Sequence, residues 1–380
     1  MEKKHYILIT TEYPPFKGGI SRCLSSIYGT FPSDSLTVIA PYFKGSEVFD
    51  FNQNYKIKRL NKFFYFLPKK LSLFLFIFSL TFSLFLEVLK NKEKKIVIHS
   101  GHVLSGITAF ILKKILKVPY IQWTHAIEVM DKRRFWLIKN ILNFANYVIT
   151  ISKFSEDYLK RFVSEEKIKK IRHPLPEIRY PSREIVEKVS REVSGKKVIL
   201  TVARLEKFNR YKGVDLTIRS FKKVKEEIPE SVYIVIGVGG LKSYYEEMAK
   251  SLGLGESVIF KGEISDDELY AWYSICDLFV MPSRVEKKSK GILGEGFGLV
   301  FLEAGFFGKP VIGGEGGCKD AIINGVTGFL VNPRDEDELA EKIIYLLRNP
   351  SVAKKMGEEG KRWAESVNRK DLGLYLRELL

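Results

Sequence analysis

Two glutamines, five histidines and three cysteines are all that 380 residues provide. The cysteines, Cys23, Cys276 and Cys318, stand far apart with no CxxC spacing, which excludes a zinc ribbon and a disulfide framework and fits a reducing compartment. No His, Cys or acidic cluster has metal-ligand spacing, so no metal and no cofactor is expected. Gln53 and Gln122 are outnumbered by Lys and Glu, a balance met in heat-stable proteins. Repeats and low-complexity tracts are absent. The opening MEKKHYILITTEYPP lacks a long apolar stretch and a small-residue cleavage site, so no secretory leader is expected; with the lone cysteines, a cytoplasmic location is the expectation.

Positive charge is present in excess. The net formal charge is +17, and residues 1–180 hold 30 Lys and Arg against 14 Asp and Glu, whereas the remainder is nearly balanced. The first half therefore faces something anionic, a nucleic acid or an acidic membrane surface. No recognised nucleic-acid module or aromatic-studded basic strand is present, which disfavours nucleic acid. The run LSLFLFIFSLTFSLFL, residues 71–86, lies between Lys69, Lys70 and Lys90, Lys92, Lys94 and Lys95. As a helix it would reach about 24 Å, short of a hydrocarbon core of about 30 Å. Ser72, Ser79, Ser83, Glu87 and Lys90 recur at helical spacing as a thin polar stripe. That pattern suits a core helix between two strands or an interfacial helix on a membrane, with a true span as the third and least favoured reading.

Short apolar runs alternate with helical patterns along the whole chain. HYILIT, LTVIA, KIVIHS, PYIQWTH and YVITIS read as strands of a first parallel sheet. KVILTVARL, SVYIVIGVG, SVIFKGEI, LFVMPS, PVIGG and GFLV read as strands of a second. Between the two sets, the opening of IRHPLPEIRYPSREIVEKVSREVSGKK, residues 171–197, reads as a hinge. The fold class is α/β, two doubly wound Rossmann-like domains over residues 1–175 and 186–363, with 364–380 returning to the first. Ligands of such folds sit outside the carboxyl ends of the strands, so a cleft between the domains is the expected site.

Several phosphate motifs fail on inspection. GVGGLK has Gly237 and Gly239 but Lys242 where a dinucleotide fingerprint needs a third glycine, and Gly308-Lys309 is not in a nucleotide-triphosphatase loop. Asp335 to Asp337 open the helical pattern DELAEKIIYLL, where acids favour a helix N-terminus over a metal. Other groups hold together better. PPFKGG places Gly18 and Gly19 after the first strand, where backbone can approach a ligand before a helix begins near Ser21. Arg204 ends the strand KVILTVARL and Lys212-Gly213 follows, two cations suited to a diphosphate. In EGFGLVFLEAG, Gly296 and Gly298 turn the backbone, and a helix carrying Glu303 follows Glu295. A carboxylate in such an apolar stretch must meet a cation, cap backbone groups or accept hydrogen bonds from ligand hydroxyls such as a ribose diol.

These stretches, with GGEGG, NGVTGFLV, VARLEKFNRYKG, FKGEISDDELYAWYSICDLFVMPSR, NYVITISKFSEDYL and WTHAIE, resemble the signature of the retaining glycosyltransferases of family 4, which have the GT-B fold. The run MPSR, a charged loop and GEGFGLVFLEA looks most like the branch that adds mannose from GDP-mannose to phosphatidylinositol mannosides. The resemblance implies that Arg204 and Lys212 bind the donor diphosphate and Glu295 touches the transferred sugar. It implies that Glu303 holds the ribose and that His125 lies near the sugar. Gly18, Gly19, Gly237 and the backbone at Phe297, Gly298 and Leu299 would complete the donor site. The chain departs from the pattern in three places. FNRY lengthens the spacing before Lys212 and makes Lys207 a rival, Ala126 stands where Gly or Asp is common, and IRHPLP replaces an Asn-Gly turn. The resemblance also implies a metal-independent, same-face transfer to a hydroxyl acceptor, expected here to be a lipid-linked or membrane-associated glycan at an anionic membrane surface. A UDP-sugar transferase acting on a soluble acceptor stays open. So does a sugar-nucleotide epimerase of the same fold, although no acid and base pair for proton abstraction is visible.

Overall fold

The structure, a computed structural model, describes residues 4–60 and 69–380, with backbone alone for residues 69 and 70. The opening MEK and the side chains of Lys69 and Lys70, both used in the sequence reading, lie outside the described residues. The chain divides into two compact units, Met1–Pro176 with Asn368–Leu380, and Glu177–Val367.

Unit 1 is built on strands β1 (Lys4–Ile9), β2 (Leu36–Pro41), β3 (Lys56–Leu60), β4 (Lys95–Ser100), β5 (Tyr120–Thr124), β6 (Tyr147–Thr150) and β7 (Ile168–Lys170). They form one parallel sheet in the order β3-β2-β1-β4-β5-β6-β7. Its helices are α1 (Gly19–Tyr28), α2 (Ser46–Phe51), α3 (Lys69–Lys90), α4 (Val103–Leu116), α5 (Phe135–Phe144) and α6 (Lys153–Leu159). Unit 2 carries α7 (Arg183–Glu192), α8 (Val214–Glu227), α9 (Lys242–Ser251), α10 (Asp266–Ile275), α11 (Leu299–Phe306), α12 (Cys318–Ala321), α13 (Glu336–Arg348) and α14 (Pro350–Glu365). Its sheet runs β10-β9-β8-β11-β14-β15, from β8 (Lys197–Val202), β9 (Ser231–Ile236), β10 (Val258–Gly262), β11 (Leu278–Met281), β14 (Val311–Gly313) and β15 (Gly328–Leu330). A hairpin, β12 (Glu286–Lys288) and β13 (Gly291–Leu293), stands apart from it. The last helix, α15 (Arg369–Glu378), rejoins unit 1, where the Tyr6 hydroxyl donates to the Arg377 carbonyl at 3.1 Å.

Central strands are mostly apolar and buried along their length because helices cover both faces. All six residues of β2 and all six of β9 are buried. In each sheet the strand order reverses once, between β1 and β4 and between β8 and β11. Loops that leave these strands diverge there and open a crevice for ligands. The SDDEL capping signal is realised, with Ser265 accepting from the Glu268 amide at 3.2 Å. Likewise Asp335 caps α13, and Glu336 and Asp337 pair with Arg219 and Lys223.

Four readings change. Strands β3 and β7 join the first sheet, which has seven strands where five were legible. α1 begins at Gly19, before Ser21, because Gly18 already adopts the extended N-cap conformation. The apolar helix α3 runs 22 residues, so at about 1.5 Å each it is about 33 Å long, not 24 Å. Its polar stripe is mixed: Lys90 is exposed, Ser72, Ser79 and Ser83 are half-buried, and Glu87 is buried. Glu87 is 1% exposed and turns to the sheet, where it pairs with Lys56 and Lys58 and accepts from Thr37. Burial opposes its charge, but the two ammonium groups prevail and hold its carboxyl down to about 2.

Candidate functional site

In unit 2 the candidate residues gather at the carboxyl ends of β8 and β11. Arg204 is exposed just beyond β8. A six-residue 3-10 segment, Lys207–Lys212, then leads to Gly213, whose φ of 79° starts α8. Lys212 turns inward and its Nζ lies 2.6 Å from Glu295 Oε2, with the two side chains 15% and 14% exposed. Burial opposes the lysine's charge, yet the Glu295 carboxylate and the Tyr211 phenol more than compensate and lift its pKa above the ordinary value. Arg204 pushes the other way. Arg204 is thus near enough to Lys212 for the two positive charges to repel, while Glu295 is the carboxylate that Lys212 meets. Lys207 begins the same segment but stays exposed, so Lys212 is the lysine brought to Glu295.

A buried pair that the sequence reading missed fixes this segment. Asp215, in the first turn of α8, accepts from both terminal nitrogens of Arg284 at 2.9 and 3.1 Å and from Arg210 at 3.2 Å. Burial raises the Asp215 carboxyl and Arg284 outweighs it, leaving the pKa below the usual range. The Arg284 amide donates to the Tyr211 carbonyl at 2.8 Å, tying the residue before Lys212 to the loop after β11. The only sequence signal was the cation in MPSR and the acid after Lys212-Gly213.

Glu295 is positioned by backbone. The Gly317 amide donates to the Glu295 carbonyl at 2.7 Å. A Cβ on Gly317 would fall 1.9 Å from the Gly296 oxygen, so only glycine permits this approach. Gly298 then takes φ 89° as the N-cap of α11 without a side-chain cap; Phe301 is the first amide to donate back along the helix, to the Gly298 carbonyl at 3.0 Å, and the Leu299 and Val300 amides precede it. Phe297 is buried and Leu299 half-buried beside them. Glu303 lies further along α11, 4% exposed, and accepts from the Tyr273 hydroxyl of α10 at 3.0 Å. Gly237 follows β9 at φ 142°, and a Cβ there would strike the Ala203 carbonyl at 1.9 Å, so this glycine lets β8 and β9 end side by side.

The remaining candidates belong to unit 1. Gly18 has φ −163°, extended backbone open to any residue; a Cβ there would lie 3.0 Å from the Phe16 ring and 3.2 Å from Glu12, so crowding restricts the position and conformation does not. The Pro14 carbonyl ahead of Gly18 and Gly19 is held by Arg59 at 2.5 Å. His125 follows β5, stacked on Trp123 with centroids 6.1 Å apart, and its Nε2–H donates to the Gly101 carbonyl at 2.9 Å. Burial drives its pKa down to about 4, so the imidazole is neutral near pH 7 and Nδ1 is an acceptor. Its amide donates to the Glu128 carboxyl. Ala126 adopts φ 100° and ψ −80°, a conformation costly for a residue with a Cβ. His102 couples electrostatically to Glu128 and His125, and His173 to His125, a grouping that histidines 23 and 48 residues from His125 could not announce.

Three comparisons bear on this arrangement. Residues 182–363 match the family described as Glycosyl transferases group 1, and residues 18–176 match Glycosyltransferase Family 4. A GDP-mannose-dependent alpha-(1-6)-phosphatidylinositol monomannoside mannosyltransferase of Mycolicibacterium smegmatis is 26% identical across 98% of this chain and 97% of its own. A trehalose synthase of Pyrococcus horikoshii is 30% identical across 64% of this chain and 59% of its own. Among solved structures, Anabaena Alr3699/HepE in complex with UDP and glucose superposes with a TM-score of 0.77 at 20% identity, covering 98% of both chains. That likeness concerns the fold, which is the GT-B architecture.

Proposed function

Because the chain belongs to the family 4 glycosyltransferases, as both of its halves match, we propose that it transfers a hexose from a nucleoside diphosphate sugar to a hydroxyl of a lipid-linked acceptor. The preferred donor is GDP-mannose, in line with the mycolicibacterial relative. The observation that carries the reading is Lys212, held 2.6 Å from Glu295 with Arg204 near enough to oppose its charge, together with the N-terminus of α11, where the Leu299 and Val300 amides precede the first intrahelical donor. Such a cluster suits a diphosphate. As the anomeric bond breaks, negative charge grows on that leaving group, so cations and amides fixed there stabilise the transition state more than the ground state. This supplies the role a metal fills elsewhere, and the reaction is read as metal-independent and retaining.

Glu295 would accept hydrogen bonds from hydroxyls of the transferred sugar once Lys212 turns to the diphosphate, and Glu303 would accept from the ribose diol. His125, neutral at its Nδ1, would accept from a sugar hydroxyl. The basic first half would place the enzyme peripherally on the cytoplasmic face of an anionic membrane, where a lipid-borne acceptor resides. A second reading has a specific basis: Anabaena HepE binds UDP and glucose, so a UDP-glucose donor is the alternative. Calorimetric titration with GDP and UDP, followed by transfer assays with radiolabelled GDP- and UDP-sugars and extracted membrane lipids, separates them. Proton spectra of the product give the anomeric configuration. Labelled lipid product from GDP-mannose supports the first reading; product from UDP-glucose alone, or epimerised donor without acceptor, overturns it.

A further inference from the structure

The helix α3 presents an unusual surface. Leu71, Phe74, Phe78, Phe82, Leu86 and Leu89 follow one another at intervals of three or four residues, and Phe74, Phe78 and Phe82 are 66%, 63% and 56% exposed. That spacing puts them on one side of the helix. The opposite side, Leu80, Leu84, Glu87 and Val88, is buried on the sheet. By length and composition α3 suffices to cross a membrane. Its inner side is held on the sheet instead, where Glu87 pairs with Lys56 and Lys58 of β3. The outer side continues onto α4, where Ile115 is 68% exposed. Between the two helices lies a groove of about 170 Å³ walled by Phe78, Phe82, Phe85, Ile111, Ile115 and Leu116.

Charge identifies what covers this face. Residues 69–144, which span α3, α4 and α5, contain 13 Lys and Arg against four Asp and Glu. Of those acids Glu87 is buried and Glu128 half-buried, while Lys90, Lys92, Lys114 and Lys117 are exposed at the ends of α3 and α4. Pairing two copies of such a face would bring like charges together, which costs stability. An anionic bilayer instead gains from each cation and from each buried phenyl ring.

We propose that α3 lies in the plane of an anionic bilayer, its phenylalanines in the acyl region and a hydrocarbon chain in the groove between α3 and α4. This rests on the lipid-acceptor reading above and adds the surface that meets the lipid. The cations at the helix ends sit among the headgroups, and the buried side stays on the sheet.

The full chain is tested with vesicles of phosphatidylcholine and phosphatidylglycerol. Phe74→Asp combined with Phe78→Asp lowers vesicle partitioning by about a hundredfold or more, while circular dichroism and the GDP and UDP titrations stay unchanged. Both rings are largely exposed, so the fold tolerates the exchange. Independently, Phe78→Trp fluorescence is quenched by brominated acyl chains. Unaltered partitioning of the double variant, or an unquenched tryptophan at position 78, overturns the proposal. So does a dimer in sedimentation equilibrium that the double variant dissociates, because a second copy would then cover the face. Vesicle binding that needs Phe74 and Phe78, with no hexose reaching any lipid, keeps this face and removes the lipid-acceptor reading. Undiminished transfer to lipid by the double variant does the reverse.

Discussion

Exchange of Lys212 for Met and of Glu295 for Gln, singly and together, measures the pair at the centre of the site. At an effective dielectric of about 20, charges 2.6 Å apart attract by about 6 kcal/mol. Taking both largely out of water removes much of that gain, so a net coupling of about 2 kcal/mol is expected. Lys212→Met leaves Glu295 unpaired and mostly buried, at a cost of about 3 kcal/mol. Glu295→Gln costs less, about 2 kcal/mol, since the flexible ammonium can seek water. The double variant should then lose about 3 kcal/mol instead of 5. Urea titrations read by hydrogen exchange and mass spectrometry resolve unit 2 from unit 1 and check this without nucleotide present. Additive losses would refute the coupling. In the functional arm, Lys212→Met should weaken GDP or UDP binding about tenfold or more, as a charge-assisted contact is lost. Glu295→Gln should leave it within about threefold, because the lysine is released rather than removed. Equal weakening by both would refute the division between diphosphate and sugar.

Three further outcomes follow from neighbouring groups. Glu303→Ala should weaken nucleotide binding, and Tyr273→Phe should do so mildly, since the phenol orients the carboxylate; calorimetry with a nucleoside lacking both ribose hydroxyls should show no difference between wild type and Glu303→Ala. Acid should loosen unit 1. His125 and His173 are buried with pKa values near 4 against about 6.5 when unfolded, so their stabilising contribution is intact above pH 6.5 and drains away as pH falls toward 4. At pH 5 the loss should be about 2 kcal/mol per histidine, and His173→Gln should flatten the pH dependence of unit 1 in exchange experiments; an unchanged slope would sink the assignment. Ala126→Gly should raise stability by about 0.5–1 kcal/mol, as relief of the φ 100° conformation exceeds the entropy lost in the unfolded chain. A lower melting temperature would contradict it.

The central strands were legible because burial on both faces makes them continuous apolar runs. At the edges that signal fades. β3 reads KIKRL, with no residue but Leu60 fully buried, and β7 has three residues, IKK; lysines of this kind protect an edge and disguise it as a loop. The hairpin β12 and β13 reads as a charged loop for the same reason. At the site, Glu295, Lys212 and Gly298 were legible because turns and helix starts are local. Tyr273 beside Glu303, 30 residues away, and Arg284 beside Asp215, 69 residues away, are tertiary meetings that spacing does not encode. The apolar run 71–86 was legible as a helix, but the side it shows to solvent depends on the sheet beneath it.

The contact between Gly317 and Gly296 couples two loops as one mechanical part. No methyl fits between them, so Glu295 cannot shift without carrying residues 313–317, and with them α12, where Lys319 is exposed. A fluorophore attached at position 319 would then act as a gauge: it lies off the Glu295 carboxylate, yet its surroundings change whenever the backbone beneath that side chain moves.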